Sequence, residues 1–326
     1  MPACPPSGSN VGQWIRHNRF EAYPCCGYDA NEFKVDPRQC GNNRQTKPTG
    51  ATASYAFSGG FGCSCLSPQE RINKGRGERA AADWVPTQCF IEQFDATRFC
   101  ALLGTKTILV IGDSTMEQAA AAIMNAIHFG TTPDPAAEDV RVESAESELG
   151  CQRQISFSPG DTLVHKNLGM MNRGSRWNES LVTIKRKTGK YPDLVLLTAG
   201  AHIRKYEDFR KVFNTVRAEA TQYFPDVQVL WKTQSPGGST LNMSMQPVFT
   251  EKQSKVFKWS HFRERDEWVM RQELKPQEKF GIMDVRPLYL RGDDHPHIAS
   301  LHFCNAGNDA LSLIPRLLQH WLAQNA

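Results

Sequence analysis

Thr107-Ile-Leu-Val-Ile-Gly112-Asp-Ser-Thr-Met-Glu-Gln-Ala-Ala-Ala-Ala-Ile-Met-Asn-Ala-Ile127 decides the fold class of this chain. Residues 107–111 are a short apolar run rich in β-branched side chains, which reads as a buried strand. Gly112-Asp-Ser-Thr115 interrupts it, and the alanine-rich stretch from Met116 to Ile127 is a strong helix former. The unit is strand, tight turn, helix. A second strand, Asp193-Leu-Val-Leu-Leu-Thr198, ends in Ala199-Gly-Ala-His202. A third, Val227-Gln-Val-Leu-Trp-Lys232, ends in Thr233-Gln-Ser-Pro-Gly-Gly238, with a helical stretch over 205–223 between the two. Strands alternating with helices predict an α/β fold, a parallel sheet in a three-layer sandwich. A last helix over about 308–324 should start at Asn308 and bury Leu311, Ile314, Leu318 and Leu322, with a kink at Pro315.

Upstream of this unit the character of the chain changes. Residues 1–100 are rich in Gly, Pro, Asn, Ser and Cys, with turn signals at Ser58-Gly-Gly-Phe-Gly62 and Lys74-Gly-Arg-Gly77. The expected division is therefore a cysteine-rich, loop-rich segment over 1–104 wrapping a core domain over 105–326. Eight of the ten cysteines (Cys4, Cys25, Cys26, Cys40, Cys63, Cys65, Cys89, Cys100) fall in the first hundred residues, while Cys151 and Cys304 stand apart. That density points to disulfides and an oxidising compartment. Zinc is the rival reading, but Cys63-x-Cys65 and Cys25-Cys26 lack the gaps of structural zinc sites. The sequons Asn178-Glu-Ser180 and Asn242-Met-Ser244 fit a lumenal or secreted chain. Met1-Pro-Ala-Cys4 is followed by no apolar run, so any targeting segment is expected to lie outside this sequence.

Composition bounds the function. Forty per cent apolar and 22% charged residues over 326 positions are those of a globular chain and exclude disorder, collagen and coiled coil. No apolar run reaches the length of a membrane span. A net charge of +4 is small for a nucleic-acid binder, and Lys185-Arg186-Lys187 reads as a solvated turn.

In parallel α/β sheets, ligands bind outside the carboxyl ends of the strands. Ser114, His202 and the 233–238 turn all fall at such ends. Ser114 opens a helix, where backbone N–H groups and the positive helix end stabilise an oxyanion on a substrate attacked by that serine. A nucleophilic serine needs a base, and the base needs an orienting carboxylate. Asp293-Asp294-His295-Pro-His297-Ile-Ala-Ser-Leu-His302-Phe-Cys304 supplies candidates for both. Plainer readings exist: Gly-Asp-Ser as a helix N-cap, His202 as a packed or surface histidine, and His295, His297, His302 and Cys304 as metal ligands in a spacing that fits no common finger. A serine acyl-enzyme needs no metal or other cofactor, and none is expected.

Trp84-Val-Pro-Thr-Gln-Cys89-Phe-Ile-Glu-Gln-Phe94-Asp95, Phe99-Cys100 and Ile111-Gly-Asp-Ser-Thr-Met-Glu-Gln118 together resemble the PC-esterase group. These are the trichome birefringence-like polysaccharide O-acetyltransferases and their relatives in the SGNH/GDSL superfamily. The likeness continues through Gly200-Ala-His202, Ser235-Pro-Gly237 and His302-Phe-Cys304-Asn-Ala-Gly307, and runs from about residue 14 to the C-terminus. It implies an SGNH-like core and an acyl-enzyme on Ser114, with His302 as general base and acid. Gly112, Asp113, Gly200 and His202 would line the oxyanion or substrate site, with Asn167 or Gly169 as the second-loop donor. The acyl group would pass from an acyl donor to a carbohydrate hydroxyl, giving an O-acetyltransferase, or to water, giving an O-acetylesterase. A non-catalytic carbohydrate-binding or wall-organising protein is the third reading. The resemblance also implies a Golgi-lumenal or secreted monomer, with no nucleic acid as partner.

One position departs from the pattern. The family's aspartate three residues before the histidine is replaced here by Ala299. Either Asp293 or Asp294 reaches His302 instead, Asp294 being preferred, or Asp294-x-x-His297 is the working pair; a degraded site is the remaining option. Cys304, bridged to the cysteine-rich half, would fix the loop that carries His302.

Overall fold

A computed structural model of the chain describes residues 1–16, 82–129, 151, 154–159, 177–199, 201, 203, 205–235, 259–275, 278–292, 301, 303 and 310–325, and the structural statements below concern these residues. Strands β1 (Gly12–Arg16) and β2 (Ala82–Pro86) pair antiparallel with Trp14 opposite Trp84. Helix α1 (Ala96–Leu103) follows, its first turn capped by the Asp95 carboxylate, which accepts the Arg98 N–H. The deciding unit is then β3 (Ile108–Gly112) and α2 (Ser114–Phe129). After it come β4 (Ile155–Pro159), α3 (Trp177–Thr188), β5 (Leu194–Leu197), α4 (Tyr206–Tyr223), β6 (Gln228–Lys232), α5 (Trp259–Met270), β7 (Phe280–Met283) and α6 (Leu313–Gln324).

Strands β3 to β7 form one sheet in the order β4-β3-β5-β6-β7, with every neighbouring pair parallel. The α/β class expected from the sequence is the one observed. Alternation along β3 explains the layers. Ile108 and Val110 pack with α2 and α6, while Leu109 and Ile111 pack on the opposite face with residues of α3 and α4. With both faces covered, all five residues of β3 are buried, which is why it reads as an unbroken apolar run. The chain leaves β3 for β4 on one side and returns to β5 on the other. That places a topological switch point between β3 and β5, and ligands in open α/β sheets bind outside the carboxyl ends at such a point.

The described parts of the N-terminal segment share the core of the sheet. Cys4, Trp14, Trp84, Cys89, Ile91, Phe94 and Phe99 belong to one buried cluster with α2 and α6. Arg316, on α6, donates to the carbonyls of Trp84, Ile91 and Glu92 at 3.1–3.3 Å. Among the described residues there are two disulfides, Cys4–Cys89 and Cys100–Cys151. Cys151, which stands apart in the sequence, is thus a bridge partner for the cysteine-rich half. Cys25, Cys26, Cys40, Cys63, Cys65 and Cys304, including the expected bridge to Cys304, lie outside the described residues.

Two local expectations need correction. Pro315 does not kink the last helix: a 3-10 turn over Ala310–Ser312 leads into α6, and Pro315 is its third residue, where the missing N–H would have had no intrahelical partner. Asn308 lies outside the described residues. Lys185-Arg186-Lys187 is not a turn but the exposed last turn of α3, where cations complement the negative helix end; Lys185 Nζ lies 4.2 Å from the centre of the Tyr191 ring. Asn178 of the first sequon is half-buried at the start of α3, its Nδ2 3.5 Å from Glu219 Oε2, and Ser180 is buried against Ser158. Asn242 lies outside the described residues. No described helix is long and apolar enough to cross a membrane.

Candidate active site

Three segments singled out by the sequence meet at the carboxyl end of the sheet. The first is the β3–α2 turn. Gly112 has φ +155°, and a Cβ there would overlap the Met116 side chain, 2.8 Å from its Cβ, and stand 3.3 Å from the Thr198 carbonyl oxygen. Only glycine lets β3 and the end of β5 close up this tightly. Asp113, buried, accepts from the Thr115 N–H (2.9 Å) and the Thr115 hydroxyl (2.7 Å). Its carboxylate is therefore the cap of α2 and holds the turn; an anion is no donor to an oxyanion. Ser114 is the first residue of the 16-residue helix α2. The N-cap reading and the nucleophile reading thus divide between neighbours: Asp113 caps, and Ser114 occupies the helix N-terminus.

The second segment follows β5. Its residues Ala201 and Ile203 flank His202. Arg265 of α5, buried, donates through Nη2 to the Ile203 carbonyl at 2.6 Å, and Ala201 packs on a small cluster of Phe262, Tyr289 and Leu301. The third segment is the tail. Leu301 belongs to that same cluster, and Phe303 is gripped by α2: Gln118 Nε2 donates to the Phe303 carbonyl (2.9 Å), and the Phe303 N–H donates to Gln118 Oε1 (3.1 Å). Gln118 lies one helical turn on from Ser114. The backbone on either side of residue 302 is thereby tied to α2 and to the segment around residue 202. His302, Asp294, Asp293, His295, His297, Ala299, Asn167, Gly169, Gly200 and His202 themselves lie outside the described residues.

The strand ends also carry a buried polar group that sequence reading missed. Lys232, fully buried at the end of β6, donates to the Thr233 carbonyl and to Ser235 Oγ, both at 3.0 Å. Burial pulls its pKa down to about 8, against the attraction of Asp113 and then Asp266. Asp266 of α5 accepts the Gln234 N–H on both oxygens at 3.0 Å and the Tyr289 hydroxyl at 2.9 Å; burial raises its pKa to about 7 despite those hydrogen bonds. Beyond β7, Asp284 holds Arg286 in a two-pronged pair at 2.7 and 2.8 Å. Thr198 Oγ1 and both polar atoms of the Gln234 carboxamide have no hydrogen-bond partner among the described residues. Buried polar groups are costly without partners.

Of the missed residues, Gln118 carried a weak signal, as a polar residue in an apolar helix run, and Lys232 carried another, as a cation ending a buried strand. Asp266 and Arg265 carried none, because they stand among other charged residues in Trp259–Met270. Compared with known proteins, the chain matches no family model, and no curated protein shows significant similarity to it.

Proposed function

We propose that this chain is a serine acyltransferase with an SGNH-like core, of the PC-esterase kind, acetylating a carbohydrate through an acyl-enzyme on Ser114. The observation that carries the reading is the reciprocal pair between Gln118 and the Phe303 backbone, which brings the immediate neighbour of His302 to α2 one turn from Ser114. The switch point between β3 and β5 supports it independently, because the site falls where the topology opens a crevice.

In this mechanism His302 takes the proton from Ser114 Oγ as that oxygen attacks the acyl carbonyl of the donor. The negative charge that develops on the carbonyl oxygen is met by main-chain N–H groups at the N-terminus of α2, with Gly200 and Asn167 as further donors. Collapse expels the donor's leaving group, which receives the proton from His302, and Ser114 holds the acyl ester. A carbohydrate hydroxyl then enters, gives its proton to His302 and takes the acyl group, and His302 returns the proton to Ser114. Asp294, or Asp293, orients the imidazole and stabilises its cationic form. The cysteine-rich half and its bridges fit a secretory-pathway setting, Golgi lumen or secreted.

The test is incubation with an activated acetyl ester, with and without oligosaccharide, and labelling by a serine-directed phosphonate. Acetylated oligosaccharide by mass, with stoichiometric labelling that disappears in Ser114→Ala, is the expected result. Release of free acetate at the same rate with acceptor present gives the esterase instead. Undiminished labelling of Ser114→Ala overturns the assignment of the nucleophile.

A further inference from the structure

We propose that Arg265 and Asp266, neighbours on α5, are positioning residues that fix the two loops leaving β5 and β6, and with them one wall of the site. The inference rests on the function proposed for Ser114, and its first readout below does not depend on that.

Helix α5 buries Phe262, Arg265, Asp266 and Val269. That is the i, i+3, i+4, i+7 stripe by which a helix docks on a core, and it is ordinarily apolar. Here the two central positions are charged. Buried charges add little adhesion, since apolar residues of similar volume often hold an interface at least as well. What these two add is direction. Arg265 Nη2 donates to the Ile203 carbonyl at 2.6 Å, in the loop beyond the end of β5. Its guanidinium lies 5.4 Å from the centre of the Phe209 ring on α4 and 6.0 Å from that of Phe262, so rings on two helices fix it. Asp266 accepts the Gln234 N–H on both oxygens at 3.0 Å, just beyond the end of β6. The Tyr289 hydroxyl, in the Arg286–Leu290 turn, donates to Asp266 Oδ2 at 2.9 Å and orients the carboxylate in turn. Leu197 and Trp231 stand level across β5 and β6, so the two loops leave adjacent strands side by side. Consecutive helix residues point about 100° apart, which lets one turn of α5 hold both loops. The same helix meets the tail, because Phe262 packs with Leu301 and Ala201. β5 borders the switch point, so a shift of its loop moves a wall of the crevice beside Ser114.

Two readouts test this. Hydrogen exchange should speed up by roughly tenfold or more over residues 194–205 in Arg265→Met and over 228–235 in Asp266→Leu, while a peptide from α3 stays unchanged in both. Phosphonate labelling of Ser114 should slow on the order of 100-fold in each variant, the penalty for a slightly misplaced reacting group. Asp266→Asn keeps an oxygen toward the Gln234 N–H and should hold labelling within about tenfold of wild type, a rescue that a role confined to sealing the helix would not give. Where Asp266→Leu does not fold, Tyr289→Phe, which removes only the hydroxyl on Asp266, should still raise exchange over 228–235 by about threefold. Unchanged exchange over these loops in the folded variants overturns the inference whatever the enzyme does, as does an Asp266→Asn variant labelled as slowly as Asp266→Leu. If wild-type Ser114 is never labelled but exchange rises loop by loop, the proposed function fails and the positioning of the loops stands.

Discussion

Replacing both Cys4 and Cys89 by alanine should destabilise the folded chain by about 4–5 kcal/mol. The bridge joins positions 85 apart, and closing a ring of that size in the unfolded chain removes entropy equivalent to ~4.6 kcal/mol at 25 °C. Native contacts of the N-terminus do not substitute for it. The Cys4 N–H donates to the Phe90 carbonyl at 3.0 Å, and the Cys4 carbonyl accepts from Gln324 Nε2 at 2.6 Å, but these contacts act on the folded state. The bridge acts on the unfolded one. With an unfolding entropy of about 0.7 kcal/mol/K for a chain of this length, the loss corresponds to a melting temperature lower by about 7 °C. Urea titration without reductant, followed by circular dichroism and tryptophan fluorescence, reads the free energy, and calorimetry reads the temperature. The double variant of Cys100 and Cys151, 51 positions apart, is the internal comparison at ~4.1 kcal/mol. A loss under about 1 kcal/mol for the first variant, or peptide mapping that finds Cys4 and Cys89 as free thiols in the oxidised protein, refutes the reasoning.

Gly112→Ala should cost about 2 kcal/mol and slow labelling of Ser114, because the new Cβ meets Met116 at a backbone angle that suits glycine; thermal melts and labelling rates check both, and an unaltered variant would remove the argument for a close-packed turn. Asp266→Asn should flatten part of the pH dependence of stability. The raised pKa of Asp266 means that its proton stabilises the folded state in full below about pH 4, and that this advantage is lost as pH rises from there through about 7. The stability difference between wild type and Asp266→Asn should therefore fall by about 2–3 kcal/mol between pH 5 and 8, and a difference independent of pH would count against the buried carboxyl. His302→Ala should remove nearly all turnover of an activated acetyl ester, Asp294→Asn should cost orders of magnitude, and His297→Ala should be mild; the reverse order of the two histidines would make Asp294-x-x-His297 the working pair.

What the sequence discloses about this fold follows from how local each cause is. β3 and β5 are legible because a strand buried on both faces reads as an unbroken apolar run, as in Ile108-Leu-Val-Ile111, and β6 is legible from its apolar centre, Val229-Leu-Trp231. β1 and β2 are not legible: each has five residues, and Trp14 pairs with Trp84, a partner far away in the sequence. Helix α3 escapes because Asn178-Glu-Ser180 reads as a sequon and its basic end reads as a turn. The same division runs through the site. Gly112, Asp113 and Ser114 are visible because a strand, a tight turn and a helix succeed one another within a few residues. The groups that hold them are not, because each works through a distant partner: Gln118 through Phe303, 185 positions on, and Asp266 through Gln234, 32 positions back. Lys232 is the sharpest case. A cation ending an apolar strand looks like the point where the chain reaches solvent, yet it is fully buried. Burial of an ammonium is tolerable only with compensating carboxylates, and those belong to a helix cap and to a different helix. Nothing in Val227-Gln-Val-Leu-Trp-Lys232 names either. A strand-end lysine becomes informative only once the fold shows it buried, so its surroundings emerge from topology rather than from motif.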